Sequence, residues 1–126
     1  MKWKETLNKL YRETGNKMNT DSFILKYRGT YRVGDCKTAA MKVQERVPGY
    51  KAIRLNIGIN DLMYDYVQTH YYASNGRYII DMTAPAYIKE FIQEKIASTW
   101  HKNNQNKLLF DERDYLQNFK NIKKPR

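Results

Sequence analysis

The chain has 126 residues, 41% of them hydrophobic, and a formal net charge of +10 from 23 basic and 13 acidic side chains. That length fits a single domain over residues 1–126, the apolar content excludes global disorder, and no run reaches the roughly 20 apolar residues of a membrane span. A single cysteine excludes an internal disulfide and suits a reducing compartment; with a polar N-terminus that lacks a signal peptide's apolar stretch, the expectation is a soluble, cytoplasmic protein.

Trp3, Leu7, Leu10 and Tyr11 recur at helical spacing, and Gly15 can end that helix. The apolar run at 23–25 fits helix or strand. Residues 27–35, with Gly29 and Gly34, read as a loop. A second helix opens at Cys36: Cys36, Ala39, Ala40, Val43 and Val47 share one helical face. Asp35 is its expected N-cap, and Pro48-Gly49 stops it. Ile53, Leu55 and Ile57 alternate with polar residues, the period of a half-buried strand. Residues 64–73, rich in Tyr, Val and Thr, form another.

Asn75-Gly76 then lies between two apolar, aromatic runs, the sequence of a two-residue type I′ hairpin turn. Residues 77–83 are the return strand, which Pro85 ends. Ile88, Phe91, Ile92, Ile96 and Trp100 describe an amphipathic helix of about four turns. A shorter helix runs from about 111 to 119, and the basic tail at 120–126 frays. Helices, then an antiparallel sheet, then helices make an α+β domain.

Three side chains carry chemistry. A thiol acts as thiolate, and the free N–H groups and dipole of a helix start favour negative charge on Cys36. Gly34 lets a substrate backbone come close. With Asn75-Gly76 as the turn, Ser74 faces Arg77, and four steps on His70 faces Asp81. Directly opposed residues share a face with Cβ atoms about 5 Å apart. A carboxylate so placed fixes an imidazole's tautomer and stabilises its charged form. No spacing brings Cys36 to that strand face.

These residues resemble a known family. Gly34-Asp35-Cys36-Lys37-Thr38-Ala39-Ala40 and then Pro48-Gly49-Tyr50-Lys51-Ala52 look like the transglutaminase-like core of the papain-like superfamily. There a Gly-x-Cys opens a helix and a Gly-rich turn leads to a strand. A His on one strand and a hydrophobic-Asp-x-Thr on the next follow, here Thr69-His70-Tyr71 and Ile80-Asp81-Met82-Thr83. The resemblance covers residues 34–85 and implies a central helix carrying Cys36, packed on an antiparallel sheet carrying His70 and Asp81. It implies acyl transfer from a protein or peptide amide through an acyl-enzyme, with Cys36 as nucleophile, His70 as base and acid, and Asp81 as orienting group. Peptidase, glutamine deamidase and transglutaminase chemistry stay open.

The chain also departs from the pattern. Papain-like peptidases place a Gln before the Cys to stabilise the oxyanion, where this chain has Thr30 and Tyr31. The Cys36 backbone N–H then needs a second donor. Gln68, on the strand face of His70, is one candidate and Thr30 another. Tyr71-Tyr72 answers to the aromatic residue that the family places after its His, and Tyr72 is a further substrate-binding candidate. The small size resembles papain-fold toxin and effector domains, which implies a phage or bacterial effector that modifies a host protein.

No Cys/His cluster, acidic metal loop or phosphate-binding loop is present, so no metal or cofactor is expected. His101, at the end of a helix, is expected to complement the helix dipole. The net charge of +10 favours an acidic partner. Eleven tyrosines among many basic residues keep a nucleic-acid-binding protein or small nuclease as the alternative. A non-catalytic papain-like domain that binds a protein partner is a third reading.

Overall fold

A computed structural model describes residues 31–56 and 69–122. Within them lie four helices and four strands: α1 (Cys36–Arg46), β1 (Lys51–Asn56), β2 (Thr69–Ser74), β3 (Tyr78–Ile80), α2 (Ala84–Gln93), α3 (Thr99–Asn103), β4 (Leu109–Asp111) and α4 (Glu112–Asn118). The strands form one antiparallel sheet in the order β1-β2-β3-β4. The described residues are therefore α+β, as expected. The expected helix within 1–15, the run at 23–25 and the segment 57–68 lie outside them. No helix among the described residues is long and apolar enough to cross a membrane.

Helix α1 follows its sequence pattern. Cys36, Ala39, Ala40 and Val43 are buried along one face, and Gly49 takes a positive φ of 85° in the turn after it. Its start differs in one respect. Asp35 occupies the N-cap position but makes no side-chain capping bond. Its carboxylate accepts from Arg32 N instead, at 3.0 Å, closing the turn that leads into the helix.

Both faces of the sheet are covered, because alternate residues point to opposite sides. Tyr72, Ile79 and Phe110 pack in one cluster with Tyr87, Ile88 and Phe91 of α2 and with Tyr115 and Phe119. Ala73, Tyr78, Ile80 and Leu109 pack in the other with Ala39 and Val43 of α1. Cys36, at the very start of α1, belongs to the first cluster. The helix start is thus where the two clusters meet. Strand β1 is the least covered, with Ile53 38% exposed.

The hairpin differs from its expected register by two residues. Ser74 pairs with Ile79 and Ala73 with Ile80, so the central turn residues are Gly76-Arg77 rather than Asn75-Gly76. The Asn75 side chain is the cause. Its Oδ1 accepts from Arg77 N at 2.9 Å and from Tyr78 N at 2.7 Å, while Asn75 N donates to Tyr78 O at 3.1 Å. Gly76 takes φ of 92°, and Asn75 stays out of the positive-φ region that a type I′ turn requires of it. β3 also stops at Ile80, short of the expected 83: Asp81 N still bonds in register to Leu108 O at 2.8 Å, and the Asp81 carboxylate then folds the chain back at Thr83.

The amphipathic stretch from 88 to 100 is two helices. After α2 the chain takes φ of 61° at Lys95. Lys95 N bonds to Ile92 O at 3.1 Å and Ile96 N to Phe91 O at 2.9 Å, the paired bonds of a Schellman stop. Ser98 then caps α3. The sequence did not signal the break, since Lys rather than Gly holds the left-handed position. No alternation in the sequence marks the three-residue strand β4 either. Ile122 packs against the first cluster, so the tail is held that far, and residues 123–126 lie outside the description.

Lys95 carries the steric cost of a left-handed residue with a Cβ, roughly 1 kcal/mol. Lys95→Gly is expected to raise unfolding stability by about that amount, measured as a shifted urea midpoint at unchanged m value. An unchanged or lowered midpoint would show that the turn has no strain to release.

Candidate active site

Asp81 begins the turn between β3 and α2, and its own carboxylate builds that turn. Oδ1 accepts from Thr83 N and from Thr83 Oγ1, both at 3.0 Å. This is an Asx turn, in which a short acidic side chain substitutes for a backbone carbonyl. Oδ2 points the other way and accepts two further bonds, from His70 at 2.7 Å and from the Tyr115 hydroxyl at 2.7 Å. Asp81 is 2% exposed. Burial pushes its carboxyl up, but the His70 charge and these four donors outweigh burial and hold it below its ordinary value.

His70 sits on β2, opposite Leu55 of β1, and is fully buried. Continued past Ile80, the observed register would set Asp81 opposite Tyr72, one diagonal step from His70. The expected direct opposition is therefore corrected, while the contact between the two side chains is present. A shift of two residues moves a partner along the strand but leaves it on the same face. The ring is also sandwiched, stacked on Phe119 at 4.8 Å and 18° and met edge-on by Tyr87 at 4.5 Å and 63°.

The bond to Asp81 uses Nε2. The other ring nitrogen, Nδ1, is buried and lacks a hydrogen-bond partner. The Cys36 thiol is the ring's second electrostatic neighbour, since each group shifts the other's titration. No aligned bond joins them, and such contacts commonly tighten only when substrate is bound. Burial opposes a charged ring here, yet the Asp81 charge and bond, with a smaller contribution from Cys36, raise the imidazole to about 9.

Cys36 is 6% exposed. The Tyr87 hydroxyl donates to its Sγ at 3.5 Å. Burial pushes the thiol up. The neighbouring His70 imidazole, the Tyr87 hydroxyl and the Tyr71 backbone outweigh burial and bring it below its ordinary value. The unpaired N–H groups at the start of α1 act in the same sense. Asp35, whose charge would oppose a thiolate, has its carboxylate bonded back at Arg32 N. Gly34 takes φ of 98°, a conformation that suits glycine and leads the chain into the helix start.

The other candidates separate. Tyr72 is buried, packed against Tyr115 at 5.3 Å, and belongs to the core beside the site. Thr30 and Gln68 lie outside the described residues. His101 is fully buried rather than displayed at a helix end. Its Nδ1 accepts from Ser98 N at 2.9 Å and its Nε2 bonds to Phe119 O at 2.8 Å. Burial lowers its pKa, so it is a neutral clamp on the residue beneath His70 and not a charge for the helix dipole. Tyr87, Tyr115 and Phe119 complete the site but were not assigned to it from sequence. Only their aromatic character at helical spacing was visible. A cavity of about 370 Å³ lies elsewhere, lined by Gly76, Arg77, Asp111, Glu112 and Arg113.

Scans of the chain against family models, curated proteins and solved structures return no match.

The thiol pKa is the direct readout of this arrangement. Iodoacetamide alkylation of Cys36, followed against pH, should hold its rate below the pH at which an ordinary thiol protonates. His70→Ala should move the midpoint upward, and Tyr87→Phe should move it upward by less, because one donor of several is removed. Coincident curves for the three proteins would disprove the coupling.

Proposed function

We propose that this chain is a cysteine-dependent acyl-transfer enzyme acting on an amide of a protein or peptide. The supporting observation is the convergence of one thiol at a helix start, one buried imidazole and one buried carboxylate. Their charges stabilise one another: the thiol is shifted down, the imidazole up and the carboxyl down. A thiolate beside an imidazolium is the reactive form of a cysteine nucleophile.

In this reading the Cys36 thiolate attacks the amide carbonyl carbon and forms an S–C bond, moving an electron pair onto the oxygen. The N–H groups at the start of α1, that of Cys36 among them, stabilise the oxyanion. His70 then gives its Nδ1 proton to the leaving nitrogen as the C–N bond breaks, leaving a thioester and a free amine. Water or an acceptor amine next gives a proton to Nδ1 and attacks the thioester. The C–S bond breaks and the thiolate and imidazolium return. Asp81 keeps Nε2 protonated throughout, so that Nδ1 is the nitrogen that exchanges a proton.

The resemblance of residues 34–85 to the transglutaminase-like core of the papain-like superfamily agrees with this chemistry. It extends the proposal to a peptidase, glutamine deamidase or transglutaminase-type activity of a phage or bacterial effector that modifies a host protein. The net charge of +10 favours an acidic substrate protein.

p-Nitrophenyl acetate tests the nucleophile without knowledge of the substrate. Wild-type protein should acquire one acetyl group on Cys36, read by mass spectrometry, with a burst of nitrophenol. Cys36→Ala should lose the adduct, and Asp81→Asn should slow its formation by about 100-fold or more. Acetylation should also fall above about pH 9 as the imidazolium loses its proton. Equal acetylation of wild type and Cys36→Ala would refute the proposal.

A further inference from the structure

Tyr115 reaches Asp81 from the last helix, 34 residues further along the chain. Its hydroxyl lies on Oδ2, the same oxygen that accepts from His70 Nε2, and both bonds measure 2.7 Å. Its ring stacks on Phe119 at 4.8 Å and 15°, and Phe119 stacks in turn on His70 at 4.8 Å and 18°. Three rings thus run in series, and one carboxylate oxygen closes the circuit between the outer two.

We propose that Tyr115 is a positioning residue of the Cys36–His70–Asp81 site, its hydroxyl setting how strongly Asp81 holds the charged imidazole. The inference rests on the acyl-transfer reading for its catalytic meaning, but the electrostatics stand apart from it. Two donors on one oxygen share its charge, so the phenol weakens the pull of Asp81 on His70. Without it, the carboxylate would be more basic toward Nε2 and the imidazolium would survive to higher pH.

The Tyr115 ring also meets Tyr72 at 5.3 Å, Phe110 at 5.2 Å and Trp100 at 6.5 Å. A residue needed only to fill this space could be phenylalanine, since burying a hydroxyl adds a desolvation cost that the Asp81 bond must offset. Among the described residues, these titratable groups bear on the circuit. His70 responds to Asp81 and Cys36, Asp81 to His70 and Tyr115, and Tyr115 to Asp81, Tyr72 and Cys36. Tyr87 of α2 responds to Cys36 and Asp81, and Tyr72 responds to Glu112 of α4. His101 of α3 is turned to Ser98 and the Phe119 carbonyl.

Tyr115→Phe keeps the ring stack and deletes the shared donor. In the full chain, the His70 imidazole, titrated by NMR, should rise by about one unit. The alkaline limb of Cys36 acetylation by p-nitrophenyl acetate should move up with it. Site-specific 3-fluorotyrosine at position 115 makes the phenol a stronger donor and should move both downward. That second substitution preserves the fold if the first does not. A tyrosine with a packing role alone would shift neither titration, so an unmoved His70 in both proteins, or a shift of the opposite sign in either, overturns the inference. The acyl-transfer reading fails separately, if acetylation is independent of Cys36 while His70 still follows residue 115.

Discussion

A carboxylate removed from solvent must either take up a proton or surround itself with donors. Asp81 takes the second course, and much of the described structure follows from it. Thr83 supplies two donors by folding the chain back on itself, which ends β3 and launches α2. His70 supplies the third from β2 and Tyr115 the fourth from α4. One buried charge therefore ties together the sheet, the turn into the second helix and the last helix. Removing a partner from such a buried charge costs about 3–5 kcal/mol, so this arrangement is a fixed point of the fold as well as the proposed site.

The same carboxylate explains why the imidazole pKa is raised in a place with no exposure. Phe119 beneath the ring and Tyr87 at its edge exclude solvent, which penalises the charge. Asp81 more than offsets that penalty. The charge is then available to the thiol at the start of α1, where the helix N–H groups and the Tyr87 hydroxyl act in the same direction. Because α1 packs by Ala39 and Val43 against one cluster while Cys36 enters the other, the thiol lies at the junction of both halves of the core. His101 adds a further layer, holding the Phe119 carbonyl and with it the ring that supports His70.

Whatever depends on short separations and on parity is legible in the sequence. The apolar period fixed α1, its start at Cys36 and its buried face. Asn75-Gly76 located a hairpin, and alternation placed His70 and Asp81 on one face. That last inference survived a register displaced by two, because strand geometry repeats every two residues. The displacement itself was decided by a hydrogen bond of the Asn75 side chain, a competition between side-chain and backbone acceptors that composition does not resolve. The rest depends on how distant stretches of chain pack together. The four donors on Asp81 come from three separate stretches of chain, and the ring stack through Phe119 exists only once α4 has docked. No periodicity links Tyr87 to Cys36 or Tyr115 to Asp81. These contacts depend on how helices settle on the sheet, and that is set by the packing of the whole core rather than by any local pattern.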